Sequence, residues 1–184
     1  MALTPSNPFP VGTKAPNFIL PDTVSGQTLS LNDVKGINGT VILFICNHCP
    51  FVIHINKEIV RLANDYANKG IGFIAISSND VESYPQDAPD LMKIHAAENK
   101  YPFPYLYDQS QQVAKSYDAA CTPDFYVFDN NLSSVYHGQL DDSRPGNDVE
   151  ASGSSIRQSL NALILEHAPI TEQKNSVGCG IKWK

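Results

Sequence analysis

The chain has 184 residues, of which 42% are hydrophobic and 17% charged, a length that suits one domain burying about 70% of its unfolded surface without disulfide staples. Its formal charge of -6, with no Lys/Arg cluster beyond the end Lys182-Trp183-Lys184, argues against nucleic acid or an anionic membrane as a partner. No stretch approaches transmembrane length and the first ten residues carry neither a basic nor an apolar leader region, so a soluble, cytoplasmic protein is expected.

In chain order, residues 16 to 31 read as a small hairpin, with Asn17 to Leu20 and Gln27 to Leu31 flanking a turn at Asp22 to Gly26. The run from Thr40 to Cys46 is continuously apolar and rich in β-branched residues, which predicts a strand covered on both faces. After Pro50 the period changes. Val52, Ile55, Ile59, Leu62 and Tyr66 recur at helical spacing over 50 to 69, and Ile71 to Ser77 is again a strand, completing a βαβ unit. A polar, Pro-punctuated excursion over 79 to 90 precedes a helix over 90 to 99, a short strand over 104 to 107 and a helix over 109 to 118. Phe125 to Asp129 and Ser133 to Gly138 read as a hairpin turned at Asn130-Asn131, and residues 152 to 167 as a final helix. Parallel pairs plus a terminal hairpin give an α/β protein with a central mixed sheet, helices on both faces and an N-terminal hairpin extension. Residues 168 to 184 form a C-terminal tail.

The join between the first buried strand and its helix carries the chemistry. Cys46-Asn47-His48-Cys49-Pro50 places two thiols at a helix N-terminus, where unpaired N–H groups and the helix dipole favour thiolate over thiol. A structural zinc site would want a second cysteine pair, and Cys121 and Cys179 stand alone. In a reducing cytosol a cysteine pair is more often catalytic than structural. A histidine beside a thiolate stabilises the reduced form, so His48 should place the couple nearer the roughly -180 mV of disulfide isomerases than the roughly -270 mV of thioredoxin. Pro50 leaves the helix start open between two registers. If Cys46 is the N-cap, Pro50 removes a helical donor; if Cys49 is the N-cap, Pro50 takes the first helical position, where its missing N–H costs nothing.

Gly12-Thr13-Lys14-Ala15-Pro16-Asn17-Phe18, the Cys46 to Val52 segment and the end Gly178-Cys179-Gly180-Ile181-Lys182-Trp183-Lys184 together make the chain resemble the thioredoxin superfamily, in its redoxin branch of alkyl hydroperoxide reductases and thiol-specific antioxidants, and there the peroxiredoxin-like thioredoxin-family proteins. The resemblance covers nearly the whole chain and implies a thioredoxin-like fold. It also implies a cis proline facing the disulfide, for which Thr122-Pro123 stands in the matching place. The activity implied is thiol-disulfide exchange with protein or small-molecule disulfides and thiols, without a cofactor. On the thioredoxin analogy Cys46 attacks and Cys49 resolves.

A peroxiredoxin-like peroxidase acting on peroxides through Cys49 is the second reading, with Cys46, Cys121 or Cys179 resolving the sulfenic acid. Against it, Cys46 replaces the expected Thr or Ser, Ile42 stands where the motif has proline, and the strand 125 to 129 has no arginine. Arg144 is either a substitute or a surface partner of a nearby aspartate. A third reading is a copper protein of the Sco type, with His137 as an additional ligand among the scattered His54, His95 and His167. Cys179 is expected either on a flexible arm, freed by its flanking glycines and anchored at Trp183, or in a packed tail. Cys121 is expected to lie closer to the active pair.

Overall fold

The computed structural model describes residues 3–184. Its main sheet has the order β6-β5-β4-β8-β9, formed by β4 (Gly39–Phe44), β5 (Ile71–Ser77), β6 (Tyr105–Tyr107), β8 (Asp124–Asp129) and β9 (Ser134–Gly138). The pairs β4/β5 and β5/β6 are parallel, and β4/β8 and β8/β9 antiparallel. Alternation along β4 explains its unbroken apolar run. Val41, Leu43 and Ile45 face one core with Val52, Ile55, Ile59 and Leu62 of α2 (Pro50–Ala67), Met92 of α3 (Pro89–Asn99) and Leu160 of α5 (Ser154–Ile164). Ile42 and Phe44 face the other, with Leu31 of α1 (Leu31–Val34), Ala114 of α4 (Gln112–Ser116), Phe9 and Phe18. Each face of a central strand is thus buried, as its composition requires.

The hairpin extension is β2 (Ile19–Pro21) and β3 (Thr28–Ser30). Its turn is closed by the Asp22 carboxylate, which accepts from the Val24 and Ser25 amides and the Tyr105 amide. Two helices are shorter than their sequence patterns. The helix expected over 109 to 118 spans only Gln112–Ser116, because Gln111 adopts a left-handed conformation (φ 61°) and spends its side-chain amide on the Ser78 and Lys182 carbonyls. The last helix starts at Ser154 after a left-handed Gly153 (φ 67°), with the Asp141 carboxylate accepting from the Ser152 and Gly153 amides.

The sequence pattern does not reveal a second sheet of order β1-β10-β7, built from β1 (Leu3–Pro5), β7 (Cys121–Thr122) and β10 (Val177–Gly180). Cys179 pairs with Leu3 on one side and Thr122 on the other. The tail is therefore packed and is not a flexible arm. Its glycines serve close approach: a Cβ on Gly178 would lie 2.1 Å from the Thr122 carbonyl oxygen. Trp183, 43% exposed, lines a surface groove with Thr4, Lys115 and Ile181; backbone groups also hold the end, with the Lys182 N–H donating to Asn79 Oδ1 (2.8 Å) and the Lys184 N–H to Gln111 Oε1 (3.0 Å). Among the described residues no helix is long and apolar enough to cross a membrane.

Candidate functional site

The site forms where β4 ends and α2 begins. Ile45 continues the strand by donating its N–H to the Ile76 carbonyl (3.0 Å), and the chain then turns through Cys46, Asn47 and His48. Of the two registers left open by Pro50, the second is adopted: Cys49 is the N-cap in an extended conformation and Pro50 occupies the first helical turn. The Thr122–Pro123 peptide is cis and faces both sulfurs. Cys46 Sγ lies 3.5 Å from Thr122 Oγ1 and Cys49 Sγ 3.2 Å from the Thr122 carbonyl oxygen. A third sulfur completes the cluster, with Cys179 Sγ 2.9 Å from Cys49 Sγ.

Burial and hydrogen bonding divide the sulfurs by charge. Cys49 is held down to about 5, chiefly because the Cys46 thiol donates to it, with further lowering from Cys179, the Val52 amide and Thr122 outweighing desolvation. Cys46 is pushed well above the ordinary thiol range by that same hydrogen bond, by burial and by the Asp87 carboxylate. Burial and donation to Cys49 push Cys179 up to about 12. These contacts make Cys49 the most readily ionised of the three sulfurs; as a thiol it donates to the Thr122 carbonyl oxygen and to Cys179 Sγ. Cys121 is fully buried and its thiol pKa is raised by desolvation. Its Sγ approaches the Pro123 carbonyl oxygen at 3.9 Å, and the sulfur that touches the pair is that of Cys179.

The turn between the cysteines is fixed by groups from the 79 to 90 excursion. Asp87, fully buried in a short 3-10 turn, accepts from the Asn47 amide (2.9 Å) and from Asn79 Nδ2 (2.8 Å), and its Oδ2 lies 2.7 Å from His48 Nδ1. The Asn47 side chain donates to the Gln86 carbonyl and accepts from the Tyr105 hydroxyl. His48 stacks on Tyr84 at 5.7 Å between ring centroids, and Lys182 Nζ lies 5.5 Å from that Tyr84 ring. Asp87, Tyr84 and Asn79 are absent from the sequence reading. They lie among other polar residues, and nothing local marks Asp87 as the buried one.

Arg144 does not pair with an aspartate carboxylate. Its guanidinium donates to the carbonyl oxygens of Asp141 (2.7 Å) and Ser143 (2.6 Å) and to Gln139 Oε1, because the Asp141 carboxylate is already used by the Ser143, Ser152 and Gly153 amides. It lines a small cavity with Pro123, Phe51, His54 and Val177. His137 is held by Asp124, with Nε2 3.0 Å from Oδ1, and tilts against Tyr126 at 4.2 Å. Among the described residues the group with metal-ligand proximity is Cys46, His48 and Asp87, whose ligand atoms lie within 4.8 Å of one another. The 2.7 Å His48–Asp87 separation is an ion-pair distance, shorter than two ligands of one metal ion would stand apart.

A search of curated proteins finds no match. Among solved structures, an uncharacterised conserved protein from Geobacillus kaustophilus is 57% identical, covering 100% of this chain and 97% of its own, with a TM-score of 0.98. A hypothetical protein from Sinorhizobium meliloti 1021 is 41% identical over 98% of each chain, with a TM-score of 0.96. The thioredoxin domain of a thiol-disulfide oxidoreductase from Bacteroides vulgatus shares 19% identity, covering 82% of this chain and 98% of its own, at a TM-score of 0.63, which identifies the fold as thioredoxin-like. The pattern of the AhpC/TSA family matches residues 11–135, across the Cys46 to Pro50 turn and the cis Thr122–Pro123 opposite it, and the chain belongs to that family.

Proposed function

We propose that this protein is a thiol-disulfide oxidoreductase in which Cys46 and Cys49 cycle between dithiol and disulfide, with Cys49 as the resident thiolate. The observation that carries this reading is the N-cap position of Cys49 opposite the cis Thr122–Pro123, and the neighbouring Cys46 side chain lowers its pKa further. Cys49 attacks one sulfur of a partner disulfide, forming a mixed disulfide and expelling the other sulfur as thiolate, which takes up a proton. Cys46, deprotonated in turn, attacks Cys49 Sγ and releases the second partner sulfur. The partner disulfide gains two electrons and the protein is left with a Cys46–Cys49 disulfide; the reverse sequence oxidises a partner dithiol. This assignment exchanges the roles that the thioredoxin analogy gives to the two cysteines. We place the turnover in the cytoplasm, on protein or small-molecule disulfides.

The test is trapping. Reduced Cys46→Ser mixed with oxidised glutathione and quenched at the earliest times should carry glutathione on Cys49, and Cys49→Ser should lose disulfide reductase turnover. Glutathione found on Cys46 in a fully active Cys49→Ser would reverse the assignment. A peroxidase reading draws on the Cys49-Pro50 cap, but Arg144 is committed to carbonyl oxygens, and among the described residues Arg61 and Arg157 are committed to Glu58 and Asp65. Polarising an O–O bond needs such a donor, so hydrogen peroxide should oxidise the protein slowly relative to a disulfide.

The His48–Asp87 pair sets the potential. Asp87 disfavours negative charge on Cys46, which must ionise for the pair to exchange, so Asp87→Asn should stabilise the reduced form and raise the reduction potential. His48→Pro should lower it by leaving that carboxylate without its 2.7 Å partner. Shifts of tens of millivolts are expected, about 30 mV corresponding to roughly 1.4 kcal/mol. Equilibration against glutathione measures both, and two shifts of the same sign would sink the argument.

A further inference from the structure

The packed tail leaves a question about Cys179, which lies 130 residues from Cys49 in sequence and 2.9 Å from it in space. The contact is built by several independent constraints. Cys179 is held between Leu3 and Thr122 in the three-stranded sheet. Gly178 lets β10 approach the Thr122 backbone closer than any side chain would allow. Downstream, the Lys182 N–H donates to Asn79, whose own amide donates to Asp87 beneath His48. Cys121, held in the same sheet opposite Gly180, has no such contact with the pair and only approaches the Pro123 carbonyl oxygen at 3.9 Å.

We propose that Cys179 is a third redox-active thiol, and that Cys49 exchanges disulfide partners between Cys46 and Cys179. This rests on the Cys46–Cys49 dithiol reading above. Starting from the Cys46–Cys49 disulfide, Cys179 loses its proton and attacks Cys49 Sγ; the Cys49–Cys179 bond forms, the Cys46–Cys49 bond breaks, and Cys46 leaves as a thiolate that takes up the proton. No electron is gained or lost, so the step needs no further oxidant. Cys49 is the required centre, because it carries the contact to Cys179 and the hydrogen bond to Cys46. The product returns Cys46 to the thiol state beside Asp87 and His48 and moves the disulfide onto Cys179 of β10, whose surroundings differ from those of Cys46 and so suit a different thiol partner. Separating the partner that oxidises the pair from the partner that reduces it is the consequence for turnover.

The experiment maps disulfides in protein oxidised with oxidised glutathione, acid-quenched and alkylated. Wild type should yield both Cys46–Cys49 and Cys49–Cys179 linked peptides. Cys46→Ser should pass from a Cys49–glutathione mixed disulfide to the internal Cys49–Cys179 bridge with release of glutathione, and adding Cys179→Ser should slow loss of that mixed disulfide at least tenfold. A wild-type map with Cys46–Cys49 but no Cys49–Cys179 overturns the relay and leaves the oxidoreductase reading standing. A map lacking Cys46–Cys49 overturns that reading instead. Because the wild-type map requires no substitution, poor folding of a variant cannot decide the outcome.

Discussion

Titration of the fully reduced protein, followed by the ultraviolet absorbance of thiolate, is expected to show one sulfur ionising near pH 5, and Cys49→Ser is expected to abolish that step. The cause is the pair of S–H donors, Cys46 first, that lowers Cys49 to about 5 from an ordinary 9.0. Cys46→Ser replaces one of these donors by a hydroxyl of different reach, and Cys46→Ala removes it. A hydrogen bond to a charged group is worth about 1.5–3 kcal/mol, so the alanine variant should titrate roughly one to two pH units higher. The linked stability effect has a definite sign. A depressed folded-state pKa contributes stability that is present above pH 9 and is lost as pH falls towards 5. Cys46 acts oppositely: its raised pKa contributes stability below pH 9 that is lost as pH rises further. Urea midpoints of the reduced protein should therefore fall on acidification from pH 8 to pH 5 by more than those of Cys49→Ser. Equal falls would mean that the thiolate belongs to another sulfur.

The second large effect is expected from Gly178→Ala. The added Cβ would sit 2.1 Å from the Thr122 carbonyl oxygen and 2.8 Å from its carbon, and both atoms are backbone held in β7 beside the cis proline. Neither can yield as a flexible side chain would. Overpacking of this kind typically costs about 1–3 kcal/mol, and the strain is relieved by moving β10 away from β7. That displacement withdraws Cys179 from Cys49, so the variant should combine a lower denaturant midpoint, faster proteolysis of the tail and an upward move of the Cys49 titration. A destabilised variant with unchanged Cys49 titration would show that Cys179 contributes nothing to the thiolate, whereas native stability would show that the sheet accommodates the methyl group.

Much of this architecture was legible because periodicity reports burial directly. The segment from β4 through α2 to β5 needed only the change from a continuous β-branched run to a 3.6-residue repeat and back, and the expected strand 71 to 77 agrees with β5. The cysteine pair and Thr122–Pro123 were legible as motifs. Their electrostatics were not. Whether Cys46 or Cys49 capped the helix depended on one backbone register, and sequence supplied arguments for each. The second sheet was hidden for a different reason: Val177-Gly178-Cys179-Gly180 is too short and too rich in glycine to show strand alternation, and glycine reads equally as freedom or as close approach. Asp87 illustrates the remaining gap. Burial of an acid is decided by what folds over it, here the Asn47 amide, Asn79 and His48.

The pairing of Leu3 with Cys179 and of Cys179 with Thr122 also bears on how the molecule assembles. The βαβ unit closes over a few dozen residues, whereas the small sheet joins segments from opposite ends of the chain, and long-range closures carry the larger entropic cost before any contact rewards them. The β1–β10 pairing, which joins Leu3 to Cys179, spans a greater sequence separation than any pairing of the main sheet and is expected to form late, with late protection of its amides in pulsed hydrogen exchange during refolding. In the finished fold Cys46, Cys49 and Cys179 are all buried, so any chain in which β10 is not yet seated would expose the pair to small-molecule thiols and disulfides more than the native molecule does.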